Sequence, residues 1–187
     1  MHDLHNGYTL REMTAEEFHA AYAAKHEEYF KASLIVDVTS HLSDEDRQLA
    51  RERREAFPQA WRMQWALEHH GTLIGWTYGY QVDHETLYMC NTAIDAAHRG
   101  RGLYTRILAL VLEHARELGF QLVTSKHYAS NNSVLVPKLK AGFIITGMAL
   151  DDKYGLMVHL TKYIHPEREA MAIRRIGETR QPGTRHL

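Results

Sequence analysis

The chain has 187 residues, of which 44% are hydrophobic, enough to bury one substantial core, so a single domain is the default. Lys and Arg total 22 against 23 Asp and Glu, which leaves no overall field to draw in a nucleic acid or an anionic membrane surface. Cys90 is the only cysteine, which rules out an intrachain disulfide and leaves nothing that calls for an oxidising compartment. The start "MHDLHNGYTLREM" lacks the basic and then apolar blocks of a signal peptide, and no apolar run nears the roughly 20 residues of a membrane span. A cytoplasmic protein without membrane or nucleic-acid partners is expected. The 14 histidines are scattered, without HExxH or a paired Cys/His spacing, so no metal site is expected.

Along the chain, "YTLREM" alternates as a strand over residues 8–13. Thr14 and Glu17 have capping-box spacing and start a helix that runs to residue 30. "KASLIVDVTSH", residues 31–41, is β-branched but short, and its pattern fits a strand and a loop equally. Ser43 caps a second helix with acids in its first turn and arginines later, the polarity a helix dipole favours, and Pro58 ends it. Three strands follow over residues 63–68, 73–82 and 86–94, joined by the short turns "EHHGT" and "VDHET" as an antiparallel meander. Gly75 and Gly79 in the middle strand predict a bend or a close backbone approach.

Leu103, Ile107, Val111, Ala115 and Leu118 fall on one face of a helix that Gly119 stops. The strand "FQLVTSKHY" after it is expected to run parallel to the strand before it through a right-handed crossover. A short helix in "NNSVLVPKLKAGF" stops at Gly142 and, because of Pro137, is expected to begin near Val136. "FIITGMAL" and "LMVHLTKYI" close the fold as a hairpin. The expected class is α/β (α+β): a mixed, mostly antiparallel sheet of about seven strands, with the fourth and fifth as a parallel pair, flanked by helices. One domain is expected over residues 1–164, with 165–187 as an extension holding a short helix and a basic, disordered tail.

The stretch "NTAIDAAHRGRGLYTRIL", residues 91–108, carries the most chemistry. An apolar strand ends near Ile94, and "RGRG" opens the best helix of the chain. Backbone N–H groups of a first helical turn lack partners within the helix, and with the dipole they form a site for phosphate. Gly100 and Gly102 let a ligand approach the main chain, and Arg99 and Arg101 add forked cations suited to phosphate oxygens.

These residues, with their order among the strands, resemble the GCN5-related N-acetyltransferase (GNAT) superfamily. Its Q/R-x-x-G-x-G/A signature after the fourth strand corresponds to Arg99, Gly102 and Tyr104. Its second landmark, an Asn followed about eleven residues later by Gly-Phe, corresponds to Asn131, Gly142 and Phe143 in "NNSVLVPKLKAGF". The resemblance spans residues 8–164 and implies that the fourth and fifth strands splay apart. It implies acetyl transfer from acetyl-CoA to a primary amine of a small molecule, peptide or protein, by direct attack in a ternary complex.

The resemblance also implies that pantetheine lies against the backbone of Thr92, Ala93 and Ile94, where a main-chain N–H would polarise the thioester carbonyl. It places the pyrophosphate on Arg99, Gly100, Arg101, Gly102, Leu103, Tyr104 and Thr105, with Asn131 as a ligand-side or helix-capping residue. Two positions depart from the family pattern. Tyr104 replaces a small residue, and its side chain is expected to point away while its N–H faces phosphate. Lys138 stands where many members carry the Tyr that protonates the departing thiolate; it fits a thiolate-assisting role and a surface lysine alike.

An attacking amine must lose a proton, and Asn91, His127, Tyr128 and Glu85 are the candidates expected to face the cleft. Cys90 reads as a buried strand residue more readily than as a nucleophile, and Trp76, Tyr78 and Tyr80 as core or cross-strand residues before a substrate cage. The alternative is a non-catalytic acyl-CoA-binding module with the same fold. A dinucleotide-binding oxidoreductase is disfavoured because "GRGLYT" lacks the third glycine and does not open a βαβ unit. A homodimer through edge strands or the C-terminal segment would suit such a fold.

Overall fold

Eight strands form one sheet in the order β1-β2-β3-β4-β5-β6-β8-β7 in a computed structural model that describes residues 1–30, 37, 40, 42–57 and 60–175. The strands are β1 (His2–Asp3), β2 (Tyr8–Glu12), β3 (Arg62–His69), β4 (Thr72–Gln81), β5 (Thr86–Ile94), β6 (Leu122–Tyr128), β7 (Ile144–Asp151) and β8 (Gly155–Tyr163). The helices are α1 (Ala15–Phe30), α2 (Asp44–Ala56), α3 (Leu103–Glu117), α4 (Asn132–Lys140) and α5 (Pro166–Arg175). The strand pair expected to be parallel, the fourth and fifth of the sequence reading, is β5 and β6, and it is parallel. Every other pairing is antiparallel.

The eighth strand, β1, has only two residues and so no readable period. It folds back on β2 through His5, Asn6 and Gly7, all at positive φ. Most of the stretch 31–41, Pro58 and the tail from residue 176 lie outside the described residues.

Local chemistry accounts for the helix ends. Thr14 and Glu17 close a reciprocal capping box, with each backbone N–H donating to the other's side chain at 2.8 and 3.1 Å. Ser43 accepts from the Asp46 N–H at the start of α2. Helices α3 and α4 both end in Schellman motifs. Gly119 and Gly142 take φ of +83° and +87°, and the next N–H, of Phe120 or Phe143, donates to the Ala115 or Lys138 carbonyl. The Gly-Phe pair of the second landmark is therefore a helix stop followed by a core anchor, Phe143 being 2% exposed.

Helix α4 starts at Asn132, earlier than Pro137 led the sequence reading to expect, and holds Pro137 inside. The missing N–H of Pro137 forfeits one helical bond, a cost of about 3 kcal/mol in an isolated helix. Burial of Phe143 just past the helix end offsets part of it.

Two apolar clusters occupy the two faces of the sheet. Leu103, Ile107, Val111 and Ala115 of α3 join Leu67, Leu87, Val123 and Leu160 in the larger one. Phe18 of α1 meets Trp76 and Ala93 in the smaller one. Alternation along β3 separates them: Trp65 and Leu67 face α3, whereas Ala66 pairs with Trp76 toward α1. Gly75 and Gly79 lie where β4 presses on β5. A Cβ at Gly75 would run into the Ala93 carbonyl oxygen, and one at Gly79 would stand 2.8 Å from that of Tyr88.

Candidate active site

Strand β5 leaves β6 abruptly. Their parallel register covers only Thr86, Leu87 and Tyr88 against Leu122, Val123 and Thr124. Beyond that point β6 goes on pairing with β8 as far as Tyr128, and β5 stays on β4 as far as Ile94. A β-bulge sits at the parting: Tyr78 faces Asn91 and Gly79 faces Met89, so Cys90 is the extra residue. A bulge bends its strand and raises the local twist, which carries β5 away from its neighbour. The side of β5 toward β6 is thus left without a strand partner from Met89 onward.

A cavity of about 400 Å³ fills this opening and reaches both faces of the sheet. On the α3 and α4 side it is lined by Met89, Tyr104, His127, Val134 and Lys138, and on the α1 side by Tyr22, Phe30, Tyr80, Tyr88 and Tyr154. Asn91, Thr92, Tyr128 and Asn131 also line it.

Beside it, the loop between β5 and α3 is an exposed, backbone-lined cradle. Gly100 and Gly102 both take φ of +74°, and a Cβ on either would meet nothing within 4 Å. Gly102 is the N-cap of α3 and supplies no side-chain bond, so the first-turn N–H groups remain available to an anion. The arginines are turned back on their own loop. Arg99 Nε donates to the Ile94 carbonyl at 2.8 Å, and Arg101 reaches the Ala97 carbonyl at 3.4 Å. Both stay exposed, so they brace the loop and still place positive charge beside it. Tyr104 does not point away as expected; it packs against the larger core cluster and lines the cavity, where burial raises its hydroxyl pKa.

Lys138 decides the chemistry of the inner end. It is 1% exposed, which removes the surface-lysine reading. Its Nζ donates to Ser125 Oγ at 2.8 Å, lies 3.5 Å from Met89 Sδ and stands 4.4 Å from the centre of the Phe143 ring. No carboxylate among the described residues pairs with it, and desolvation pulls its pKa down to about 7. Lys138 therefore exchanges a proton near neutrality, which an exposed lysine does not. Ser125, which had no local signal in the sequence, fixes the ammonium from a strand 13 positions away.

The other candidates differ in what they can do. Burial, and then Lys138, drive His127 down to about 3, so it is neutral at physiological pH and a poor base. His127 Nε2 and the Tyr128 hydroxyl are buried without a hydrogen-bond partner among the described residues. Asn91 lines the cavity, but its Oδ1 is held by Trp76 Nε1 at 2.8 Å. Asn131 occupies the N-cap of α4 without capping it; its Oδ1 accepts from Ser133 Oγ at 2.7 Å. Ala93 is buried against α1.

Glu85 lies outside the cavity, contrary to expectation. It forms a bidentate pair with Arg168 at 2.7 and 3.1 Å, tying α5 to the start of β5. Cys90 lines the cavity, and burial pushes its thiol up to about 11, which leaves it protonated and weakly nucleophilic. Tyr80, read as a cross-strand residue, also lines the cavity, as do Asp151 and Tyr154 of the β7–β8 hairpin, which the sequence reading did not single out.

A parted parallel pair, a glycine cradle at the following helix and a buried lysine on the next helix thus meet at one opening. Residues 10–143 match the acetyltransferase (GNAT) family, and the chain belongs to that family. Comparison with curated proteins gives no match.

Among solved structures, yncA from Salmonella typhimurium, with its cofactor acetyl-CoA, is similar at 15% identity and a TM-score of 0.61, covering 84% of this chain and 94% of its own. Ribosomal-protein-alanine N-acetyltransferase from Brucella melitensis is similar at 16% identity and a TM-score of 0.61, covering 83% and 99%. A spermidine N-acetyltransferase mutant, SpeG from Vibrio cholerae, is similar at 12% identity and a TM-score of 0.60, covering 84% and 94%. One backbone thus accompanies different acceptors, and at these identities the likeness is one of fold.

Proposed function

We propose that this protein is an acetyl-CoA-dependent N-acetyltransferase that transfers the acetyl group to a primary amine by direct attack in a ternary complex. The observation that carries the reading is the opening between β5 and β6, with the Gly100 and Gly102 cradle at one flank and Lys138 buried at the other. Family membership supports acetyl transfer in general. The transferase unit is assigned to residues 1–164, with residues 165–187 as an extension whose α5 is held back by Arg168.

The residues fit the cosubstrate. Backbone N–H groups of Leu103, Tyr104 and Thr105 at the open N-terminus of α3, flanked by Arg99 and Arg101, suit a pyrophosphate. The unpaired side of β5 around Thr92 offers main-chain groups to an amide-bearing arm entering the opening. Bound there, acetyl-CoA supplies an activated thioester. Lys138 holds a proton on Nζ that it can release toward a departing thiolate, and its ammonium form attracts that thiolate. Ser125 orients Nζ. The acceptor must arrive from the α1 side, because α3 and α4 cover the other face.

Calorimetric titration with CoA, followed by free-thiol release from acetyl-CoA with a panel of amines, tests this. CoA binding together with amine-dependent thiol release is the expected result. CoA binding with no release for any amine would instead establish a non-catalytic acyl-CoA-binding module.

A further inference from the structure

The α1 side of the opening is a chamber with six aromatic rings in its wall. Tyr22 and Phe30 come from α1, Tyr80 from β4, Tyr88 from β5, Tyr128 from β6 and Tyr154 from the β7–β8 turn. Five separate elements deliver these rings to one space. Tyr80 and Tyr88 stand 5.2 Å apart, centre to centre. Tyr154 lines the same cavity as Tyr22, Tyr80, Tyr88 and Tyr128, and burial raises the hydroxyl pKa values of those four.

Formal charge is sparse in this space. Among the described lining residues, the charged groups are Lys138 on the far side of the opening, the exposed Lys126, and Asp151 in the hairpin, with His26 of α1 and His127 as the titratable imidazoles. Asp151 Oδ1 is taken by the N–H groups of Lys153 and Tyr154 at 3.0 Å, which fixes the carboxylate and leaves its other oxygen to accept from a ligand. Asp151 lines the cavity together with Tyr128.

We propose that the acceptor is a small primary monoamine with a flat aromatic body, an aryl-alkylamine, bound between these tyrosines with Asp151 receiving it as an ammonium. The proposal rests on the acetyl-transfer reading above and names its acceptor class. Ring faces reward a flat aromatic body by stacking and an ammonium by cation–π attraction. One carboxylate balances one ammonium; a polyamine would bring further charges into a desolvated space with no partner for them. A carboxylate on the amine-bearing carbon, as in an amino acid, would be held close to the Asp151 carboxylate and be repelled by it. In the reaction the ammonium first releases one proton to solvent, the neutral amine forms the N–C bond as the thioester C–S bond breaks, and the second nitrogen proton goes to solvent. Lys138 protonates the departing thiolate, so that CoA leaves as the thiol, and Lys138 regains its proton from solvent.

The test compares 2-phenylethylamine, phenylalanine, spermidine and an alanine-ended tripeptide by thiol release, with CoA affinity measured by calorimetry. The expected kcat/KM for 2-phenylethylamine is at least tenfold above each of the others. Tyr154→Leu and Asp151→Asn should each raise its KM tenfold or more and leave CoA affinity, which also reports folding, within twofold. CoA binding with a preference for any other panel member overturns this proposal alone, whereas CoA binding with no turnover of any member overturns it together with the acetyl-transfer reading. An unchanged KM in both variants does the same. Absence of CoA binding overturns the acetyl-transfer reading with it.

Discussion

The glycine loop before α3 and the end of α4 flank the same cavity, and they are made of opposite materials. The loop at residues 99–102 presents backbone: two glycines at positive φ, open space where side chains would be, and a helix start with no side-chain cap. The end of α4 contributes one side chain, Lys138, which Ser125, Met89 and Phe143 shield from water. A backbone site tolerates change in the residues around it, as Tyr104 shows by turning into the cavity without closing the cradle. A side-chain site depends on every neighbour, since the proton affinity of a buried amine is set by what surrounds it.

The largest effect should come from filling the backbone site. Gly102→Glu puts a carboxylate where an anion is to bind, and CoA affinity measured by calorimetry should fall by about 100-fold or more. The fold should survive, because a side chain there meets open space and incurs only the left-handed φ, about 1–2 kcal/mol. Gly75→Ala is the counter-example: its Cβ would strike the Ala93 carbonyl, so this much smaller change should prevent folding, as circular dichroism would report. Retained CoA affinity in folded Gly102→Glu would mean that the loop is no phosphate site.

Lys138→Met probes the side-chain site. Turnover should drop by about 100-fold with CoA affinity little changed, the range general-acid assistance covers. The wild-type kcat profile should carry a limb falling as pH rises through about 7, where Lys138 loses its proton, and the variant should lack it.

Stability should move in the opposite direction. Lys138 titrates near 10.5 when unfolded and near 7 when folded, so between these values the unfolded chain holds a proton that the folded chain does not. Folding free energy therefore becomes more favourable as pH rises from 7 toward 10.5. Lys138→Met removes that slope and, at neutral pH, should stabilise the fold by roughly 1–4 kcal/mol in a denaturant titration. A loss of stability instead would make Lys138 a structural residue.

The smallest effect belongs to a residue remote from both sites. Arg168→Ala breaks the partly exposed pair with Glu85 and should cost less than about 1 kcal/mol, with thiol release unaffected.

The sequence alone determined what depends on neighbours in the chain. Capping boxes, helix stops at Gly119 and Gly142, the meander and the glycine cradle all arise from interactions spanning a few residues, so type and spacing suffice to read them. The family landmarks belong here too, because each is one local turn of backbone. Tertiary structure alone decided where β5 parts from β6, since the bulge at Cys90 arises from pairing with β4. It also brought Lys138 to Ser125, turned Tyr104 inward, sent Glu85 to Arg168 and gathered tyrosines from distant segments into one chamber. Those contacts join residues far apart in the chain, and the burial that changes their chemistry exists only once the sheet and its helices have closed around them.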